Sequence, residues 1–116
     1  MSGRYDLEDR TLDFTKNVRE LVKNLPKNAA TVEDSKQLIR SSDSVGANYI
    51  EANEALSKKD FRHRIKISRK ESKESRYWLK LLENDDNKKL MRQIELLINE
   101  STEIMKIFSS IIRKSE

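Results

Sequence analysis

The stretch LMRQIELLINESTEIMKIFSSII, residues 90–112, decides the fold class. Its apolar residues recur at spacings of three and four, which is the period of one face of an α-helix. Neither glycine nor proline interrupts it. It therefore predicts a long amphipathic helix with an apolar face made of Leu90, Met91, Ile94, Leu97, Ile98, Ile104, Met105, Phe108, Ile111 and Ile112.

Three stretches upstream have the same period, and each predicts one more amphipathic helix. The apolar face of the first contains Leu7, Thr11, Phe14, Val18, Leu21 and Leu25. That of the second contains Leu38, Ser42, Val45, Tyr49, Ala52 and Leu56. The third has a narrow serine centre that lets a neighbouring helix approach closely, and its face contains Phe61, Ile65, Ser68, Ser72, Ser75, Leu79 and Leu82.

Capping residues mark the ends of these segments. Asp6 and Ser57 stand where an N-cap is expected, and Thr31 followed by Asp34 resembles a capping box. Pro26 stops the first helix, because the residue before a proline is pushed out of helical geometry. The predicted helices are 7–25, 32–55, 58–83 and 86–114, with a turn at 83–87.

Four amphipathic helices with short connections bury their apolar faces best against one another. The fold class is therefore all-α, an up-down antiparallel four-helix bundle, and residues 1–116 form a single domain. With Leu96 and Ile107 included, the apolar positions of the last helix span roughly 200° of its circumference. Two interpretations fit this width: the helix lies deepest in the bundle, or it carries a second buried surface for self-association.

Composition excludes several classes of protein. The chain has 116 residues and no cysteine, so disulfide scaffolds, thiolate metal sites and cysteine nucleophiles are excluded. No run approaches the roughly 20 apolar residues needed to cross a membrane. The first residues are polar and acidic rather than those of a signal peptide, so we expect a cytoplasmic protein.

Catalytic chemistry is not visible in the sequence. The lone His63 follows Asp60 by three, but a metal site in a bundle needs that pair twice, so we predict a surface histidine. Ser41, Ser42 and Ser44 have no histidine base in their segment. We predict a non-enzyme with no catalytic, metal-binding or cofactor-binding residues.

Gly46 stands inside the second helix, where glycine costs about 1 kcal/mol relative to alanine. A glycine there indicates close approach of another backbone, in a helix crossing within the chain or in a subunit contact. The first of these is favoured. A polar flank of the same helix contains Arg40, Ser41, Ser44, Asn48 and Glu51.

The third helix is strongly basic. Residues 57–83 contain ten Lys or Arg against four Asp or Glu, a net charge of +6, whereas the other residues sum to −2. On a helical wheel nine of the ten share an arc of roughly 120° that holds no acid and that also includes Tyr77. The nine are Lys58, Lys59, Arg62, Lys66, Arg69, Lys70, Lys73, Arg76 and Lys80.

This arrangement places like charges four residues apart, which costs about 0.2–0.5 kcal/mol for each pair. A binding face for a polyanion, above all nucleic acid, explains why it is kept. Alternatively, acids on other helices or subunits neutralise the face, or it is simply solvated. Acids that could neutralise the basic face in this way include Asp9, Asp13, Glu20 and Glu103. Insertion into lipid is not expected, because the apolar face of this helix is committed to the bundle.

The order of these motifs resembles the bacterial four-helix bundle proteins called S23, or 23S rRNA intervening-sequence proteins. The resemblance covers nearly the whole chain and is collinear. The matching motifs are YDLEDRTL at 5–12, QLIRSS at 37–42, SVGANYIEA at 44–52, SKKDF at 57–61, KESKES at 70–75 and YWL at 77–79. One branch of the family has proline and serine where this chain has Gly46 and Ala47, and glycine at Ala52, so the chain resembles another branch.

The resemblance implies an up-down four-helix bundle that forms a ring-like homopentamer. It also implies kinship with the accessory protein of diversity-generating retroelements, a basic bundle that binds nucleic acid and a reverse transcriptase. Genes of the family can lie inside rRNA insertions, and others lie elsewhere.

The resulting hypothesis is a non-enzymatic, homo-oligomeric bundle that binds nucleic acid, RNA in particular, through the basic face of the third helix. Its expected partners are RNA, further copies of itself in a pentamer, and a reverse transcriptase or another protein, without a membrane. The alternative is an assembly module whose basic face pairs with acidic helices of a partner or a neighbouring subunit.

Overall fold

A computed structural model describes residues 6–84 and 86–116. It contains four α-helices: α1 (Leu7–Asn24), α2 (Ala29–Asn53), α3 (Lys58–Leu81) and α4 (Lys88–Lys114). Tyr5 of the first family motif and Asp85 of the predicted turn lie outside the described residues.

Each helix packs against its neighbour in sequence, and α4 packs against α1, which closes the bundle. The described residues measure 47 × 31 × 19 Å along their principal axes. The predicted apolar faces form the core, whose largest fully buried side chains include Phe14, Leu21, Leu38, Ile65, Leu79, Ile94, Ile104 and Phe108. The prediction of an all-α four-helix bundle is confirmed.

Polar side chains cap the starts of the helices, and two of these caps are the ones predicted from the sequence. The Asp6 carboxylate accepts a hydrogen bond from the backbone N–H of Asp9 at 2.8 Å, and the Ser57 hydroxyl accepts one from that of Asp60 at 3.0 Å. Asn87 caps α4 through the N–H of Leu90, at 3.0 Å. Each cap satisfies one of the N–H groups that a helix start leaves without an intrahelical partner.

The predicted start of α2 at residue 32 is wrong. The helix begins at Ala29, because the side chain of Asn28 accepts from the backbone N–H of Thr31 at 3.0 Å. Asparagine is as good an N-cap as serine, and two alanines follow it, so the earlier start is favoured. Thr31 therefore lies in the first turn rather than at the cap. Helix α2 ends at Asn53 and α3 at Leu81, each two residues before its predicted end. Helix α4 begins at Lys88, two residues after its predicted start.

Leu56 is the one predicted core residue that lies fully in solvent, at 99% exposure. The helix ends at Asn53, and the backbone N–H of Glu54 bonds the carbonyl oxygens of Ala52 and Glu51 as the chain leaves it. Leu56 therefore lies in the connection to α3, where helical periodicity no longer applies. The apolar face of α2 ends at Ala52, which is buried.

Buried serines hold α3 close to α2. The Ser68 hydroxyl donates across the interface to the carbonyl oxygen of Val45 at 2.9 Å. The hydroxyls of Ser41 and Ser75 hydrogen-bond to each other at 2.8 Å. Because these side chains are small and their hydroxyls are hydrogen-bonded, the two helices approach closely without leaving any of these serine hydroxyls unpaired.

Gly46 marks an equally close contact between α2 and α1. A Cβ atom at this position would lie 3.0 Å from Thr11 Oγ1 and 3.3 Å from Thr11 Cβ. The Thr11 hydroxyl is held by the carbonyl oxygens of Leu7 and Glu8, so it cannot move aside freely. The glycine therefore serves a helix crossing within the chain, the interpretation that the sequence favours.

We predict that Gly46→Leu lowers the free energy of unfolding by about 1–3 kcal/mol, because the larger side chain forces α1 and α2 apart. Urea unfolding followed by circular dichroism measures the change. Ala47→Leu is the matched control: it adds bulk at the next, exposed position and should change stability by less than about 0.5 kcal/mol. Equal effects of the two substitutions would show that the α1–α2 contact does not restrict residue 46.

Candidate functional site

The nine basic residues predicted from the sequence all lie on α3, and we call this set the basic arc. Its six lysines are exposed and its three arginines are half-buried. The arc thus has an outer part in solvent and an inner part against the neighbouring helix. The lysines are Lys58, Lys59, Lys66, Lys70, Lys73 and Lys80, and the arginines are Arg62, Arg69 and Arg76.

Most of the arc forms two rows in which residues repeat every seven positions. Residues 59, 66, 73 and 80 are all lysine, and we call them the lysine row. Residues 62, 69 and 76 are all arginine, and we call them the arginine row. Seven residues of helix rise about 10.5 Å, so the rows present like charges at that interval along α3.

The arginine row lies at the interface between α3 and α4. Arg62 Nε donates to Ser115 Oγ at 3.2 Å, and Arg69 Nη1 donates to Ser109 Oγ at 3.5 Å. Arg76 continues the row, but its Nε is buried without a hydrogen-bond partner. The next α4 hydroxyl in this antiparallel register, that of Thr102, donates to the carbonyl oxygen of Ile98 instead.

Carboxylates do not pair with the basic arc in the described part of the chain. The ion pairs found within 4.0 Å there join Arg10 with Glu100, Arg19 with Asp43, Lys23 with Glu20, and Lys106 with Glu103. Two of the acids considered as neutralising partners, Glu20 and Glu103, are therefore bound to other lysines. Within one chain the arc keeps its positive charge.

The arc destabilises the helix that carries it. Arg62, Lys66 and Lys70 follow one another at intervals of four, as do Arg69 with Lys73, and Arg76 with Lys80. Each such pair costs about 0.2–0.5 kcal/mol. Lys58 and Lys59 also stand in the first turn of α3, where the helix dipole disfavours positive charge. Helix stability therefore does not explain why these residues are basic.

The structure extends the basic face onto α4, which sequence reasoning missed. Arg113 lies four residues after Ser109 and shares its side of α4; Lys106, three residues before Ser109, lies there too but is ion-paired with Glu103 at 3.4 Å. Ser109 contacts Arg69, and both of these basic residues are exposed beside the arginine row. In an antiparallel α3–α4 pair, residues near 62 lie beside residues near 115, and this register could have indicated both basic residues.

A cleft of about 560 Å³ lies at the end of the bundle where α3 begins and α4 ends. His63 is exposed there, as predicted, and it also borders a second cleft lined by Glu51, Glu54 and Asp60. The first cleft gives the basic arc a concave end. Its lining residues are Lys58, Lys59, Arg62, His63, Lys66, Ser115 and Glu116.

Arg64, the basic residue of α3 outside the arc, has a structural contact. Its Nη1 donates to Asn48 Oδ1 at 3.1 Å, and the side-chain amide of Asn48 donates to the carbonyl oxygen of Ser44 at 2.9 Å. Part of the polar flank of α2 thereby joins α2 to α3.

Glu71 is buried, with 8% of its surface exposed, although the sequence places it on the acidic flank of α3. Its Oε1 atom has no hydrogen-bond partner. Burial raises the pKa of this carboxyl, and hydrogen bonding and repulsion by the Glu74 carboxylate raise it further. The charges of Lys70 and Arg40 oppose this shift in pKa. The protein therefore holds a carboxyl that the fold favours in its protonated form.

Two further properties concern the described residues, 6–84 and 86–116. No group of three or more His, Cys, Asp or Glu side chains in them could hold a metal ion. None of their helices is long and apolar enough to cross a membrane.

Comparisons with known proteins agree with the fold. The family model described as 23S rRNA-intervening sequence protein matches residues 5–110. A similar solved structure is a protein of unknown function from the S23 ribosomal protein family of Bacteroides thetaiotaomicron VPI-5482. It is 38% identical, superposes with a TM-score of 0.79, and the match covers 92% of this chain and 98% of that one. No curated protein matches the chain.

The raised pKa of Glu71 predicts a pH-dependent effect of Glu71→Gln. The folded protein binds this proton more tightly than the unfolded chain does, so the carboxyl reduces stability as pH rises above its ordinary pKa. Glu71→Gln should therefore raise the urea midpoint at pH 7, and the gain should shrink at pH 4, where the carboxyl is largely protonated. Glu83→Gln, at an exposed position just after α3, is the control and should change the urea midpoint little. A gain that stays constant between pH 4 and pH 7 would contradict the assignment.

Proposed function

The chain belongs to the 23S rRNA-intervening sequence protein family, and we propose that this member is a non-enzymatic RNA-binding bundle. In this proposal the basic arc of α3 binds the phosphates of the RNA backbone. Arg113 of α4 widens the binding surface. Phosphate contacts supply affinity and position without reading sequence.

One observation carries the proposal: two rows of like charge share one helical face, and carboxylates do not pair with them in the described part of the chain. A solvated surface helix ordinarily alternates charges, which adds stability through pairs four residues apart. The arc instead lowers stability, so its retention is best explained by an anionic ligand.

The length of the arc suits a nucleic-acid stem. Lys58 and Lys80 are 22 residues apart, which corresponds to a rise of about 33 Å along α3. One turn of an A-form RNA duplex is roughly 30 Å long, so the arc spans about one turn of a stem.

We predict that Lys66→Glu combined with Lys73→Glu lowers affinity for a structured RNA at least tenfold while raising protein stability. Both lysines are exposed members of the lysine row, and reversing them relieves repulsion from Arg62, Lys70 and Arg69. The gain in unfolding free energy should be about 0.5–1.5 kcal/mol at low salt. Fluorescence anisotropy of labelled RNA at several salt concentrations, together with urea unfolding, measures both quantities.

The matched control reverses two exposed lysines on the other side of the bundle, Lys16 and Lys36, and changes net charge by the same amount. It should retain most of the affinity, because the contact is local rather than a property of total charge. In the wild type, log K should fall linearly with log salt, as on duplex DNA, where the slope is about −0.9 for each phosphate neutralised. Equal losses in both double variants would remove the basic arc from the proposal.

We further propose that the protein is a homo-oligomer, and specifically a pentamer. Its support is the resemblance to the family together with a flank of α4 that the core leaves exposed. Leu96 is 60% exposed, and Ile107 is half-buried on the same side of the helix. Such residues on one flank suit a subunit contact.

We predict that sedimentation equilibrium gives a mass close to five times 13.7 kDa, and that Leu96→Glu shifts it toward that of one chain. A charge on the apolar flank of α4 would be buried without a partner in the assembly, which is strongly unfavourable. Leu56→Glu is the control, because Leu56 is a 99% exposed leucine in a connection and should not affect the mass. A wild-type mass of 13.7 kDa would contradict the oligomer.

The second candidate function is an assembly module in which the basic arc pairs with an acidic surface of another subunit. The charge of the first two helices favours it: residues 6–54 contain ten acids and seven bases, a net charge of −3. In that case reversal of Lys66 and Lys73 would reduce the oligomer mass, and wild-type protein would not bind RNA even at low salt.

A further inference from the structure

Tyr77 is an exposed aromatic residue inside the basic arc. It is 59% exposed, and it is the only aromatic among the large apolar residues found exposed in the described ranges 6–84 and 86–116. The others are aliphatic: Leu12, Val32, Ile50, Leu56, Leu81 and Leu96.

Cations surround this ring. Lys70 precedes Tyr77 by seven residues, Lys73 precedes it by four and Lys80 follows it by three, so all three lie on the same side of α3. All three lysines are exposed. A planar apolar surface therefore stands among the groups that would contact phosphates.

The orientation of the ring is set by Trp78. The two ring centroids lie 5.0 Å apart at an interplanar angle of 81°, an edge-to-face contact. Trp78 in turn packs against the hydrophobic core. The Tyr77 ring is thus supported on one side by a fixed residue and open to solvent over most of its remaining surface.

Packing on the helix surface does not explain why residue 77 is aromatic. Leu81 follows Tyr77 by four residues, so the two can form an apolar pair on the helix surface. Leucine at position 77 would form that pair equally well. The property that only an aromatic residue supplies is a flat π surface, and this is what nucleotide bases stack on.

We propose that Tyr77 stacks on an unpaired base, so that the ligand of the basic arc is a stem joined to an unpaired nucleotide. The inference rests on the proposed RNA-binding function and narrows its ligand. Bases inside a duplex are stacked on one another, so a side chain on a helix surface reaches only a base in a loop, a bulge or an end. The lysines around Tyr77 would contact the phosphates on either side of that base.

The position of Tyr77 sets the length of the stem. It lies near the C-terminal end of the arc, and Lys59 is 18 residues away, a rise of about 27 Å along α3. An A-form RNA stem rises roughly 2.8 Å for each base pair, so this distance corresponds to about ten pairs. The stem would therefore follow the lysine row, and the unpaired base would meet Tyr77 where the stem ends.

Two RNA probes test the proposal with the full chain. One is a hairpin with a stem of about ten base pairs and 2-aminopurine in its loop, and the other is a blunt duplex of the same stem. The wild type should bind the hairpin more tightly by about 5- to 150-fold, the range expected for stacking one base. Binding should also quench the 2-aminopurine fluorescence.

Substitutions at residue 77 separate stacking from packing. Tyr77→Phe should retain both the preference for the hairpin and the quenching, because it keeps the π surface. Tyr77→Leu should lose both while it binds the blunt duplex like the wild type. Urea unfolding of both variants confirms that the fold is intact.

Each remaining outcome is decisive. Equal wild-type affinity for the two probes, or a Tyr77→Leu variant that keeps the preference and the quenching, would overturn the stacking role and leave the RNA-binding proposal standing. Failure of the wild type to bind either probe at low salt would overturn both proposals together.

Discussion

The close packing of α3 against α2 is the constraint on which the basic face depends. Ser68, Ser72 and Ser75 are fully buried, and every one of their hydroxyls has a hydrogen bond. The bond from Ser68 to the carbonyl oxygen of Val45 crosses between the helices and fixes both their separation and the rotation of α3. Larger apolar residues at these positions would move α3 outward. With the rotation fixed, the arc must face away from α2.

That rotation decides which charges are solvated and which are not. The lysine row points into water, where repulsion between neighbours is screened and remains small. The arginine row lies beside α4, where its contacts are hydroxyl groups of Ser109 and Ser115 rather than carboxylates. A hydroxyl orients a guanidinium without cancelling its charge, whereas aspartate or glutamate at either position would neutralise it. The α3–α4 interface therefore positions cations and leaves their field intact.

Periodicity predicted most of the fold, because helix formation and burial of one face are properties of neighbouring residues. The four apolar faces and the caps Asp6 and Ser57 depend only on such neighbouring residues, and their prediction is confirmed. The prediction that Leu56 is buried is wrong, because the apolar period continues in the sequence beyond Asn53, where the helix ends. The start of α2 was wrong because two adjacent capping signals competed, and Asn28 supplied the bond.

The basic arc itself could be found on a helical wheel, since all nine residues lie on one helix. What the wheel could not show depends on the neighbouring helices: the half-buried state of the arginines, the contribution of Arg113, and the burial of Glu71. Glu71 illustrates the limit. Its wheel position is on the acidic flank, but α2 packs so closely that the side chain is covered, and a carboxyl that looks solvated in the sequence becomes one with a raised pKa.

The lysine row and the arginine row would lose different amounts of conformational entropy on binding a polyanion. A lysine side chain in water is flexible, and ordering it on a phosphate costs conformational entropy of about 0.5–1.5 kcal/mol. Arg62 and Arg69 are already oriented by α4, so less entropy remains to be lost. The arginines therefore supply a fixed spacing of about 10.5 Å, and the lysines adapt around it. In the proposed function, such a surface would suit the regular backbone of a stem more than any base sequence.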